Sequence, residues 1–372
     1  MIQQPATSPQ KKRKRWRALD LTRGLHLDML DGLTNTVVDT ASALERRIIE
    51  AVKHQSIQPN PNRNKLISIL TNIVSYGVGI LTGKGRKTLE EAEKLGVKTA
   101  QHKIGHMPQN KRLPAPKAPR NVDLGTTVRT PKALDDTFQQ LAHTLIGSGS
   151  ALFDEVVLAI VENPPESEAA RRRIAQTVLD QLRDKGITGY VDKAGRRWNL
   201  VSYVEMATRK AAGDLAFAAH MEEMLKAGLD VVRVTVMPNC HPYCQPYQGR
   251  LLSLTGETTH VGGEKVVATV SEAVAHGFRH IGCRHTIYHW QQGDPFVEPD
   301  SIDHGDYEAS QALRRLEREV RRWKRAEAGA VTDEAQSKAR ARIRLSQKKI
   351  REHVHKTGVV RNRYREQVAK AL

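Results

Sequence analysis

Long stretches of this chain repeat their apolar residues at intervals of three and four, the spacing that gathers them on one face of an α-helix. The pattern runs over residues 19–53, stops at Pro59-Asn60-Pro61-Asn62, and resumes over about 65–103. Between Met107 and Arg120, four prolines (Pro108, Pro114, Pro116, Pro119) lie among Lys111, Arg112, Lys117 and Arg120, which reads as an extended linker. Helical spacing returns over about 131–162 and 166–185, the second led by Pro164-Pro165 and carrying Ile174, Val178 and Leu182 as its apolar stripe.

Short β signals interrupt this helical frame. Residues 190–198 place turn formers between two strand-like pieces, so a small hairpin anchored by Trp198 is expected. Ser202 and Glu205 have capping-box spacing and predict a helix running to about Lys226. Gly228 then stops it, and residues 231–236 have the β-branched density of a strand. Beyond Pro299, Ala309, Leu313, Leu316, Val320 and Trp323 form a coiled-coil-like seam. Ala328-Gly329-Ala330 interrupts it, and Ala339, Ile343, Ile350 and Val354 resume a similar stripe, so a helical hairpin is expected. The expected fold is α+β and mostly helical. Its parts are a basic arm (1–18), a helical N-terminal region (19–106), a Pro-rich basic linker (107–130), a helical middle with a small hairpin (131–230), a β-containing Cys/His module (231–300) and a basic helical hairpin (301–372).

The chain carries 59 lysines and arginines against 41 acids, a net charge of +18 that attracts anionic partners such as nucleic acid or an acidic protein surface. Residues 301–372 hold 19 of these cations and 10 of the acids, so half the excess sits there. Lys11, Lys12, Arg13, Lys14 and Arg15 in the arm, with Arg314, Arg315, Arg321 and Arg322 in the hairpin, are the candidate contacts to such a partner. Any binding to DNA is expected to be weak and independent of sequence, because no recognition-helix signature or aromatic stacking platform is present. Three cysteines in so long a chain argue against a secreted disulfide framework and fit a reducing compartment. The N-terminus lacks the apolar core of a secretory signal. The most apolar run, Leu66 to Leu81, is short for a membrane span and fits a buried helix; stable membrane insertion is not expected.

The strand at 231–236 leads into Cys240-His241-Pro242-Tyr243-Cys244, and about forty residues later comes His280-Ile281-Gly282-Cys283-Arg284-His285. Thiolates spaced in this way converge on tetrahedral zinc when a second Cys/His pair closes the shell. Cys240, Cys244 and Cys283 with His280 or His285 would make a Cys₃His site holding a structural Zn²⁺. The alternative is that the thiols are small buried packing residues.

The order of these elements resembles the phage minor capsid protein 2 family, related to the Mu F-type head morphogenesis proteins. The resemblance is carried by Cys-x₃-Cys-x-Pro-Tyr-Gln-Gly-Arg-Leu-Leu-Ser at 240–253, a short helix at 271–276, and the Cys283-Arg284-His285 element. Val191 to Trp198, Tyr203 to Arg209, and Tyr307 to Gln311 add to it, so that it spans about 186–370. His285 stands where a cysteine is often found in the Mu F-type form. The resemblance implies a minor capsid protein of a tailed phage. It would act in head assembly and DNA packaging at the portal or inner capsid, with portal, major capsid protein and packaged DNA as partners, in the virion head and, during assembly, the host cytoplasm.

No catalytic residues come with the resemblance. The chain has no His-Glu-x-x-His, Gly-x-Ser-x-Gly or phosphate-binding Gly-Lys-Ser/Thr motif. A capsid maturation protease or other head-associated hydrolase is the rival reading, for which only Cys283 and His285 offer a nucleophile pair. A nonspecific DNA-binding protein is the other. Glu205, Arg209, Asp294, Glu298 and Asp300 read as capping or surface residues without chemistry.

Overall fold

The computed structural model describes residues 27–107, 130–191, 195, 197–237, 240–291, 293–294 and 304–367. The basic arm and almost all of the Pro-rich linker lie outside them. In chain order the elements are α1 (Leu27–Ser56), α2 (Arg63–Gly105), α3 (Pro131–Glu162), α4 (Glu168–Leu179), α5 (Gln181–Lys185), β1 (Thr188–Val191), β2 (Arg197–Asn199) and α6 (Leu200–Lys226). Then follow β3 (Val231–Val234), β4 (Leu251–Ser253), β5 (His260–Val261), β6 (Glu264–Thr269), α7 (Val270–Ala275), β7 (Ile287–His289), α8 (His304–Gly329) and α9 (Asp333–Thr357). The α+β, mostly helical expectation is borne out. The chain divides into two compact units, one formed by residues 1–33, 88–130 and 209–308, the other by 34–87, 131–208 and 309–372.

The second unit is built on helix-period burial. On α2, Leu66, Leu70, Val74, Val78 and Leu81 recur every three or four residues and all are sealed from solvent, as are Ile48 and Val52 of α1 and Phe138, Leu141 and Leu145 of α3. Gly149 lets α3 close on this core: a Cβ there would meet Leu70 at 2.9 Å. The apolar runs are longer than residues 66–81 suggest. Both α2 and α3 contain an apolar stretch of 18 residues that is for the most part not buried within the fold, so by length and composition alone either is apolar enough to cross a membrane.

The predicted hairpin forms, with β1 antiparallel to β2. Its register is tied to the helices by Glu45, buried on α1, which accepts hydrogen bonds from the Ile187 amide at 3.2 Å and from the Asn199 side chain. Asn199, rather than Ser202, supplies the cap of α6: its side-chain oxygen accepts from the Ser202 amide at 3.4 Å, so the helix starts two residues ahead of the Ser202/Glu205 pair. Buried Ala175, Leu179 and Leu182 carry the α4–α5 stripe, while Ile174 and Val178 sit at its edge. The C-terminal hairpin closes around Leu313, Val320, Ile350 and Val359.

The first unit carries a five-stranded sheet of order β5-β6-β4-β3-β7. Strand β3 lies between β4 and β7 and is antiparallel to both, and the central strand β4 runs parallel to β6. Period-2 alternation divides its residues. Val232 and Val234 join Phe217, Met221 and Met224 of α6, with Leu252, Val270 and Ile287, in the main core. Val231 belongs to a smaller cluster with Leu251, Val261, Val266 and Trp290. Beside it Arg233, 1% exposed, is neutralised by a bidentate pair with Glu264, both contacts at 2.8 Å. The β5–β6 turn is Gly262-Gly263, both at positive φ, and a Cβ on Gly262 would lie 2.7 Å from the Trp290 ring.

Candidate metal centre

The cysteine and histidine segments are two loops at one end of this sheet. One joins β3 to β4 and holds Cys240 and a 3₁₀ turn at Gln245–Tyr247, with Cys244 at its N-terminus. The other joins α7 to β7 and takes positive φ at Gly277, Arg279 and Gly282, with Arg279 at 60°. A non-glycine there carries strain, and Arg279 is fixed from outside the loop. Its guanidinium lies over the Phe217 ring at 3.9 Å and pairs at 3.2 Å with buried Asp214, which also accepts from Lys210. Thr235 and Thr286 clamp the loops where the β3–β7 ladder ends: the Thr235 amide donates to the Thr286 carbonyl, and the Thr286 amide to the Thr235 hydroxyl, each at 2.9 Å.

This arrangement brings together Cys244, Cys283 and His285, whose Sγ, Sγ and Nδ1 atoms all lie within 4.8 Å of one another. The sulfurs are 3.6 Å apart, and Cys283 Sγ is 3.5 Å from His285 Nδ1. A tetrahedral ion with Zn–S near ~2.3 Å and Zn–N near ~2.05 Å has S–S edges of about 3.8 Å and S–N edges of about 3.6 Å, so the two edges that meet at Cys283 have the dimensions of such a site.

The surroundings also prepare these atoms as ligands. Gln248 Oε1 accepts from the Met237 amide at 2.8 Å, which identifies that atom as the oxygen, and lies 2.9 Å from His285 Nε2. The imidazole proton is therefore on Nε2, and the Nδ1 lone pair faces the sulfurs. This is the outer partner that a ligating histidine needs. Backbone amides supply the sulfurs in turn: His285 N–H reaches Cys283 at 3.4 Å, and Arg279 N–H bonds Cys244. The hydrogen bond shared with Cys244 holds the Cys283 thiol below its ordinary range, and the Arg279 charge adds to the effect. The same shared hydrogen bond, with burial, holds the Cys244 thiol above its range. The downward direction at Cys283 favours the thiolate form that metal ligation requires.

Cys240 and His280 lie outside this group of three. Cys240 is buried nearby in the same core, its Sγ 3.4 Å from the His241 carbonyl, and burial followed by the Cys283 charge pushes its thiol up to about 12. His280 packs its ring on His241 at 4.2 Å between centroids, and its Nδ1 lies 2.9 Å from the Ile281 carbonyl. Among the basic candidates, Lys11 to Arg15 lie outside the described residues. Arg321 is mostly buried and donates to the Arg365 carbonyl at 2.7 Å, Arg322 pairs with Asp184, Arg314 has a partner within the fold, and Arg315 is exposed. Sequence spacing offered no signal for Gln248 and Arg279, which act through the loops they stabilise.

A family model described as phage minor capsid protein 2 matches residues 28–355, most of the chain. No curated protein and no solved structure matches it.

Proposed function

Because the chain belongs to the phage minor capsid protein 2 family, we propose that its capsid role is that of a low-copy head protein. In this reading it acts in assembly at the portal or the inner capsid and is held in shape by a structural Zn²⁺ in the loop end of its sheet. The observation that carries the zinc reading is the Cys244, Cys283 and His285 group with its Gln248 and backbone-amide supports. These three residues would hold the ion, and Cys240 would supply the fourth ligand by turning its side chain from the His241 carbonyl. When bound, the ion supplies a cross-link between two loops; structural zinc contributes on the order of 10–16 kcal/mol in small zinc modules.

The partners proposed are the portal and the major capsid protein, in the virion head and in the host cytoplasm during assembly. A hydrolase reading built on Cys283 and His285 has less support. His285 is 3% exposed, and the Cys283 sulfur is already in contact with that of Cys244. The test is quantitative mass spectrometry of heads separated from tails, with cross-linking before dissociation. The expected result is this chain in heads at a small fraction of the major capsid protein, cross-linked to portal or capsid. Its absence from heads would contradict the reading.

A further inference from the structure

Helix α9 is tied down by one stripe only. Ala339, Ser346 and Ile350 are buried, and Ile350 packs with Leu313 and Val320 of α8. Between Lys338 and Lys356 the rest of the helix carries eight lysines and arginines and one acid, Glu352. At 3.6 residues per turn these cations fall into two rows. Lys338, Arg342, Lys349 and Lys356 lie within about 40° of one another along one flank; Arg340, Arg344, Lys348 and Arg351 lie within about 80° along the other. All eight are exposed. The solvent-facing strip between the rows holds Ala341 and Leu345, both exposed, and Glu352, whose carboxylate is 3.8 Å from Lys348.

Three of the eight are engaged within the fold: Arg340 pairs with Glu327 at 2.9 Å, Arg342 stands over the Trp323 ring, and Lys348 meets Glu352. The side chains of Lys338, Arg344, Lys349, Arg351 and Lys356 have no ion pair or hydrogen bond to another described residue. This differs from α8, where Arg314, Arg321 and Arg322 are engaged within the fold.

We infer that the outward face of α9 is a binding surface for double-stranded DNA. An α-helix with its side chains is about 10–12 Å across, and the major groove is about 12 Å wide with a phosphate strand on each edge. Two cationic rows on opposite flanks meet both strands at once, whereas a single row would serve an acidic protein surface equally well. Ala341 and Leu345 in the strip have no side-chain hydrogen-bonding groups to read base edges, and the Glu352 carboxylate in the same strip is paired with Lys348, so binding is independent of sequence and falls steeply with salt. The inference needs no metal and rests on the head-protein reading only in taking DNA as the polyanion.

The test is fluorescence anisotropy of a labelled 30-bp duplex with the full chain over a salt series, using two charge-matched quadruple variants. One carries K338Q, R344Q, K349Q and R351Q; the other carries K65Q, K94Q, K98Q and K132Q, exposed lysines on α2 and α3. The α9 variant should bind at least about tenfold more weakly near 0.1 M salt, and its log K against log salt slope should flatten by about 3 to 4. The other variant should stay close to the parent, and polyglutamate should compete poorly. Equal losses in both variants, no loss in the α9 variant, or displacement by polyglutamate as readily as by unlabelled duplex would each overturn the proposal. Unchanged melting of both variants confirms that they fold. If the α9 variant still enters heads, the surface and the head-protein reading are separated.

Discussion

The two units solve the burial problem in different ways. The one built on residues 34–87, 131–208 and 309–372 relies mainly on leucine, valine and phenylalanine stripes that neighbouring helices cover, with Glu45, Glu317 and Glu366 buried among them. The other places short strands of two to six residues around a core that also contains Cys240 and Cys244, and it buries Arg233, Asp214, His220 and His289. Hydrophobic burial is nearly indifferent to which apolar side chain fills a space, whereas a buried polar group is stable only with its particular partners. The first kind of region should yield gradually to mutation, the second abruptly.

Chelation should separate the two most widely. With a metal-stripping chelator, amide exchange across residues 231–290 should rise by orders of magnitude while α3 keeps its protection; uniform exchange in both would erase the contrast. Next in size are two core changes of similar cost and opposite location. Glu264→Gln leaves Arg233 buried without its carboxylate and should cost about 3–5 kcal/mol in the sheet unit, with partial recovery when Arg233 is also made Met. Phe138→Ala should cost about 3–5 kcal/mol in the helical unit and leave metal content unchanged. Separate unfolding transitions in denaturant would show which unit each change reaches.

Acid gives a smaller test. Burial lowers His220 and His289 to about 4 each, both in the sheet unit. The unfolded chain takes up these protons near pH 6.5 and the folded one does not, so stability is full above that pH and falls between 6.5 and 4, by up to about 3 kcal/mol per histidine. Melting followed from pH 7.5 to 4.5 should show the sheet unit weakening first. The smallest effect expected is that of Gln248→Leu, which removes the Nε2 acceptor of His285. It should weaken metal affinity about 10- to 100-fold without unfolding the loops, as read by competition with a chromogenic chelator.

How much of this was readable in the sequence follows from the same contrast. Helical stripes are local, so residues 131–162 and the seam at Leu313, Leu316 and Val320 give α3 and α8 directly. The start of α6 was displaced because the asparagine just before the helix competes with serine for the cap, and tertiary ties from Asn199 to Glu45 decide between them. In the site, the spacing of Cys244, Cys283 and His285 could be recognised as a pattern, but the choice of His285 over His280 could not. It depends on Gln248, 37 residues away, and on the turn that Arg279 takes over Phe217. The arginines of the C-terminal hairpin were legible as charge, but not as inward or outward, because that depends on which stripe the partner helix covers.

The most direct test of the account is X-ray absorption at the zinc edge on untagged full-length protein, with metal content measured on the same sample. About one zinc per chain, with sulfur scatterers near ~2.3 Å and an imidazole near ~2.0 Å, is predicted, and the imidazole signal should vanish in His285→Ala but persist in His280→Ala. A chain that purifies with no metal, or with an ion surrounded only by oxygen, would contradict the account and reduce the cluster to packing.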